Sequence, residues 1–229
     1  MNSLVCYGLR GGVGTTSVVA ALGFALHEMQ QRVLLVDWSA DNMLGLHFNC
    51  PLPNAEVTHN VGLEGRAWQV FPGLHVLTGP AVESLDQLQD WLATQQQKTQ
   101  PYDWVVFDAA TSARASSLQE RLPEARCLAV TNVDAASHVL VHQHLHTSMA
   151  PLLVNRFVPE SRLQSDVLMV WRHRSQPAVI PVILHRDEAW DEALAHKLPV
   201  GLHRPQSQAA HEVQSLAIWF LAQEGARGL

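Results

Sequence analysis

The stretch RGGVGTTS, residues 10–17, sets three glycines, Gly11, Gly12 and Gly14, among small and hydroxyl side chains. Glycines at such a turn let backbone N–H groups point inward and approach phosphate closely. A helix starting at its end adds free N–H groups and a dipole, which together favour an anion. Thr16 is placed to give a hydroxyl to Mg²⁺. Two carboxylates close apolar runs further on: Asp37 after VLLV and Asp108 after WVVF. Ligands of an open α/β sheet gather at the carboxyl ends of its strands. Thr16, Asp37 and Asp108 are therefore expected to converge on one Mg²⁺–triphosphate site. The competing reading is a glycine-rich turn with unrelated strand-end aspartates.

Such convergence needs strands that deliver these residues to one edge. SLVCYGL is a short apolar run ahead of the loop, and SVVAALGFALHEM repeats apolar residues at helical spacing. VLLVDW, GLHVLTG, DWVVFDAA, LAVTNV, APLLVNRF and AVIPVIL are apolar runs of the kind found in strands buried on both faces. Between them lie helical stretches: SLDQLQDWLATQQQ, SLQERLPEA, HVLVHQHLHTS, SRLQSDVLMVWRHR, EAWDEALAHK and QAAHEVQSLAIWFLAQ. The alternation predicts one α/β domain over residues 1–229, with a mostly parallel central sheet flanked by helices on both faces. Residues 50–66, rich in Pro, Asn and Gly, read as an excursion from the sheet.

Composition narrows the classes. The 229 residues are 47% hydrophobic and 16% charged, which suits a compact α/β domain with a sizeable core. A formal charge of −6 argues against a basic face for non-specific nucleic-acid binding. No apolar run reaches the ~18 residues of a membrane span, and MNSLVCYGL lacks a signal-peptide pattern. Three scattered cysteines fit a reducing cytoplasm better than a disulfide framework.

RGGVGTTS resembles the deviant Walker A motif KGGVGKTT of the MinD/ParA ATPases, a P-loop NTPase family. VLLVDWSADN resembles their second motif, and YDWVVFDAA their Walker B strand. TNVDAASHVL, LLVNRF and VILHRDEAWDEALAHKLPVG continue the likeness, which thus covers nearly the whole chain. Within that family the combination is similar to the BcsQ branch, MinD-like proteins of bacterial cellulose secretion. The resemblance implies an ATP- and Mg²⁺-binding nucleotide-sandwich homodimer on the cytoplasmic side of that machinery. Its implied partners are a small BcsR-like regulator, a BcsE-like c-di-GMP-binding regulator and the cellulose synthase complex. These would recruit the protein to the inner-membrane secretion complex, at the cell pole or elsewhere along it.

Two departures from the family pattern bear on chemistry. The signature lysine that reaches across the dimer is replaced by Arg10, and the lysine that touches phosphate within its own subunit by Thr15. A lone subunit is then expected to offer the backbone N–H groups of residues Gly11, Gly12, Val13, Gly14, Thr15, Thr16 and Ser17, but no local cationic side chain. Tight ATP binding is expected to depend on each Arg10 reaching its partner's phosphates, since a guanidinium binds phosphate in a bidentate way. The resemblance further implies that Asp134 meets the partner's Arg10. The family's second motif reads Asp-x-Asp, with its second carboxylate helping to set up the attacking water. Here Asp37 matches the first and Ser39 stands at the second, with Asp41 two residues beyond. Phosphoryl transfer depends on positioning and charge stabilisation, so slow or absent hydrolysis is expected.

By resemblance Asn155 binds the adenine base and Arg186 and Asp187 wall it. The alternative for Asn155 is a turn or strand-end cap, and for Asp187 the N-terminus of the helix that follows. His138, His142 and His146 fall at helical spacing but read as a polar face rather than a metal site. Trp171, Trp190 and Trp219 read as packing. AIWFLAQEGARGL, with one Arg and no Lys, predicts no autonomous membrane anchor. The competing functional class is a cycling partition or positioning ATPase on DNA or membrane-bound cargo.

Overall fold

The computed structural model describes residues 1–51, 67–78, 85–144, 150–173 and 178–225. Its centre is an eight-stranded sheet in the order β3-β4-β2-β5-β1-β6-β7-β8. The strands are β1 (Asn2–Gly8), β2 (Val33–Asp37), β3 (Ala67–Phe71), β4 (Leu74–Leu77), β5 (Trp104–Thr111), β6 (Arg126–Thr131), β7 (Leu152–Phe157) and β8 (Val179–His185). Every pairing is parallel except that of β3 with β4. The helices are α1 (Thr15–Glu28), α2 (Leu85–Gln96), α3 (Ser112–Arg121), α4 (Ala135–His144), α5 (Arg162–Arg172), α6 (Ala189–Ala195), α7 (Val200–His203) and α8 (Gln208–Gly225).

The apolar runs form strands because both faces of the sheet are covered. Along β1, Leu4 and Cys6 join the core under α1 and α8, while Val5 and Tyr7 join the core under α2 to α5. β2 alternates in the same way: Val33 and Leu35 face one core, Leu34 and Val36 the other. Helix α1 is buried on nearly all sides from Val18 to Leu26, which fits its run of Ala, Leu and Val rather than an amphipathic pattern. The far end of α8 is pinned by Arg126, which pairs with Glu224 at 2.6 Å and lies over the rings of Trp104 and Phe220. Trp171 and Trp190 are buried, and Trp219 packs partly buried against the core.

Two elements differ from expectation. The helix read over residues 117–125 runs instead from Ser112 to Arg121. Thr111 caps it early by accepting the Arg114 N–H, and Pro123 disfavours a helical backbone at Leu122. No run in the sequence marks strand β3. It forms a hairpin with β4 through Gly73 at φ 89°, and its AWQVF is too short and mixed to announce itself. The excursion read over residues 50–66 and the third histidine of the helical row, His146, lie largely or wholly outside the described residues.

Candidate functional site

Because β1, β2, β5, β6, β7 and β8 all run the same way, their carboxyl ends share one edge of the sheet. The loop Leu9–Gly14 leaves the central strand β1 at that edge and turns straight into α1. Gly12 and Gly14 take φ 76° and 87°, a region that side chains with a Cβ rarely adopt. Gly14 is also the N-cap of α1 and offers no side-chain cap, so the first N–H groups of the helix keep their donors for another partner. Thr15 does not stand in for a lysine. It is 7% exposed, and its hydroxyl oxygen faces Gly8, 3.0 Å from where a Cβ on that glycine would lie.

Asp37 and Asp108 are register partners on adjacent strands. Asp37 is anchored by its own loop: Oδ1 accepts the Ser39 hydroxyl at 2.6 Å and Ser39 N–H at 3.0 Å, and among the described residues Oδ2 accepts only Leu44 N–H, at 2.8 Å, which leaves it a free lone pair. Ser39 Oγ in turn accepts Asn42 N–H at 3.1 Å. Asp108 differs. It is 0% exposed; Oδ1 accepts Ala110 N–H at 3.1 Å, while Oδ2 is buried with no hydrogen-bond partner among the described residues. Burial pushes its carboxyl up to about 6, the charge of Asp37 adds to the rise, and the Thr16 hydroxyl and Ala110 N–H oppose it. Burial likewise raises Asp37, against the donors from Ser39 and Leu44. A buried, partnerless carboxylate oxygen beside a second acid and a threonine hydroxyl is a natural hard-cation ligand.

The other predicted residues surround this centre. Arg10 is held within its own subunit: its guanidinium pairs with Asp134 Oδ2 at 2.5 Å and donates to Ser137 Oγ at 3.4 Å. Asn155 is buried under the loop and donates from Nδ2 to Val13 O at 2.8 Å. Asp187 gives one oxygen to Ala189 N–H and the other to Ala209 N–H, both at 3.0 Å, and so caps the starts of α6 and α8 together. Arg186 is exposed beyond the end of β8, with its N–H donated to Phe157 O. Asp41 is exposed. The histidine row is differently engaged: His138 Nδ1 accepts the Trp171 indole N–H at 3.0 Å and its ring meets that of His142 edge-on.

The sequence profile of the family described as "Cellulose biosynthesis protein BcsQ" matches residues 1–221. A relative of that name from Escherichia coli K12 is 34% identical over an alignment covering 96% of this chain and 94% of its own. The chain belongs to the BcsQ family. Its fold is that of the MinD/ParA P-loop ATPases. The MinD cell division protein of Aquifex aeolicus superimposes with a TM-score of 0.75 at 18% identity, covering 97% of both chains. The septum site-determining protein MinD of Pyrococcus horikoshii, solved with Mg-ADP, does so at 0.67 and 20%, covering 95% of both.

In this BcsQ-family chain two site neighbours escape any spacing argument. His47, in the 3-10 turn Leu44–Phe48, is 3% exposed, and its Nε2 lies 3.5 Å from Ser17 Oγ. Burial holds its imidazole down to about 4, so it is neutral at pH 7. It ties the segment after β2 to the first turn of α1. Arg114 of α3 donates to Trp38 O at 2.8 Å and ties the same segment from the other side. A lone buried histidine and a surface arginine carry no motif; only the fold makes them neighbours of the loop.

Proposed function

We propose that this chain binds ATP with Mg²⁺ and works as a nucleotide-sandwich homodimer that scaffolds or regulates the cytoplasmic side of cellulose synthesis and secretion, hydrolysing ATP slowly or not at all. The observation that carries the nucleotide part is the orphaned Oδ2 of Asp108 at the mouth of the Gly11–Gly14 loop. Thr16, Asp37 and Asp108 would hold the ion, whose chemistry is to neutralise charge on the phosphate chain. The loop amides and the start of α1 bind phosphate, and His47 and Arg114 keep the neighbouring segment in place. The Ser39 hydroxyl is spent on Asp37, and no second carboxylate follows at its position to orient water. That supports weak turnover. The small BcsR-like and BcsE-like regulators and the synthase complex are the partners that family membership suggests, with recruitment to the inner membrane through them.

Purified protein, denatured and its supernatant resolved by anion exchange, tests this directly. Intact ATP at about one per subunit is expected. ADP would mean that the site turns over despite Ser39, and an empty supernatant would remove the nucleotide from the proposal. A cycling positioning ATPase is the second reading, favoured by the fold shared with MinD; stimulation of hydrolysis by DNA or lipid vesicles would support it instead.

A further inference from the structure

A phosphate-binding loop without its lysine lacks the cation its own helix would supply. The structure sets another beside it. The pairing of β7 with β8 shifts register between Val154 and Phe157, and Arg156 takes φ 54°, a left-handed conformation uncommon for a long side chain. Such strained residues persist where their surroundings hold them, and they cluster at binding sites. Asn155 does the holding. Its Oδ1 accepts Arg156 N–H at 2.9 Å while its Nδ2 donates to Val13 O at 2.8 Å, so the kink is fastened to the loop. The arginine is thereby delivered to Gly14: a Cβ on that glycine would lie 4.0 Å from Arg156 Nε. Its acidic neighbour competes weakly. Asp191 Oδ1 stands 3.5 Å from the guanidinium, and the two side chains are 75% and 44% exposed, a pairing that contributes little in water.

We propose that Arg156 is the cis cation of this loop, binding the phosphate chain of a nucleoside polyphosphate seated there. This rests on the nucleotide reading above. The guanidinium carries a permanent charge and a fork of donors suited to phosphate oxygens, so it takes over part of what a lysine at position 15 would do. Arg10 differs from it in kind. Arg10 is already engaged by Asp134, whereas Arg156 acts inside its own subunit and governs nucleotide affinity before any dimer forms.

The test titrates nucleotide-stripped protein at dimer-suppressing dilution with a fluorescent ATP analogue, displaced by ATP, ADP or adenosine, at two salt concentrations. Arg156→Gln is expected to weaken ATP binding about tenfold or more and to flatten its salt dependence, with adenosine unaffected. Arg156→Lys recovers part of the affinity, and Asp191→Asn binds ATP no more weakly than wild type. Melting curves without nucleotide establish that each variant is folded. ATP affinity unchanged in Arg156→Gln overturns the proposal, as does an equal loss for ATP and adenosine, the mark of base stacking rather than phosphate binding. Wild-type protein that binds none of the three sinks the nucleotide reading, and this one with it.

Discussion

Asp108 is the residue whose environment most constrains what the site can do. Folding raises its carboxyl from 3.8 to about 6, burial being the main cause. A raised acid binds its proton more tightly folded than unfolded. The cost of burying the charge is therefore absent below the unfolded value, grows as pH rises through the window, and is complete above about 6. Metal-free protein should lose roughly 3 kcal/mol between pH 4 and 6 from this group. Melting at pH 5 and pH 7 without Mg²⁺ checks it: wild type is expected to melt lower at pH 7, and Asp108→Asn to lose most of that difference. An unchanged slope in the variant would assign the pH dependence elsewhere. Ser39 argues from the same place. Its hydroxyl donates at 2.6 Å to Asp37, in a spot only 8% exposed. Ser39→Asp would replace a donor with a second buried carboxylate, so the melting temperature should fall, and fall further at pH 8 than at pH 5. A variant as stable as wild type at pH 8 would show that the segment opens freely and that the serine does not lock it. The two aspartates are legible because each ends an apolar run, and the glycines and Thr16 because they form one spaced motif between such a run and a helical pattern. His47 and Arg156 are not, since nothing in their local spacing marks them; their meaning comes from strands and turns that meet only in the folded chain.

At the scale of elements, the central strands β1, β2 and β5 owe their legibility to double burial, which turns a strand into an unbroken apolar run. Strand β3 lacks that signature because its five residues mix exposed Trp68 and Gln69 with partly buried neighbours. Boundaries were less legible than existence, as the helix ended by Pro123 illustrates. Asp187 shows where an element-scale role competes with a ligand role. Resemblance makes it a wall for the base and its sequence position a helix start, and in the structure its two oxygens cap α6 and α8. Losing both caps should cost about 1–3 kcal/mol, so Asp187→Ala is expected to melt several degrees lower without nucleotide. A residue serving only the base would leave the ligand-free melting temperature where it was and weaken nucleotide binding alone.

For the whole molecule, the question is whether a subunit whose Arg10 is already paired can lend that arginine to a second copy. The magnitudes favour it. Arg10 and Asp134 are 38% and 36% exposed, and an ion pair so accessible to water contributes under about 1 kcal/mol after solvent screening. A phosphate offering two anionic oxygens out of water binds a guanidinium more strongly than that. The cis pair is then a resting contact that a partner's nucleotide can displace. Static light scattering of ATP-loaded protein should find dimers for wild type and monomers for Arg10→Ala. Asp134→Ala should shift the dimerisation midpoint by less than about tenfold, because only the weak resting pair is removed. Should Asp134→Ala abolish dimers as completely as Arg10→Ala does, the carboxylate would belong to the contact between subunits, and its pairing with Arg10 would matter across the interface rather than within one chain.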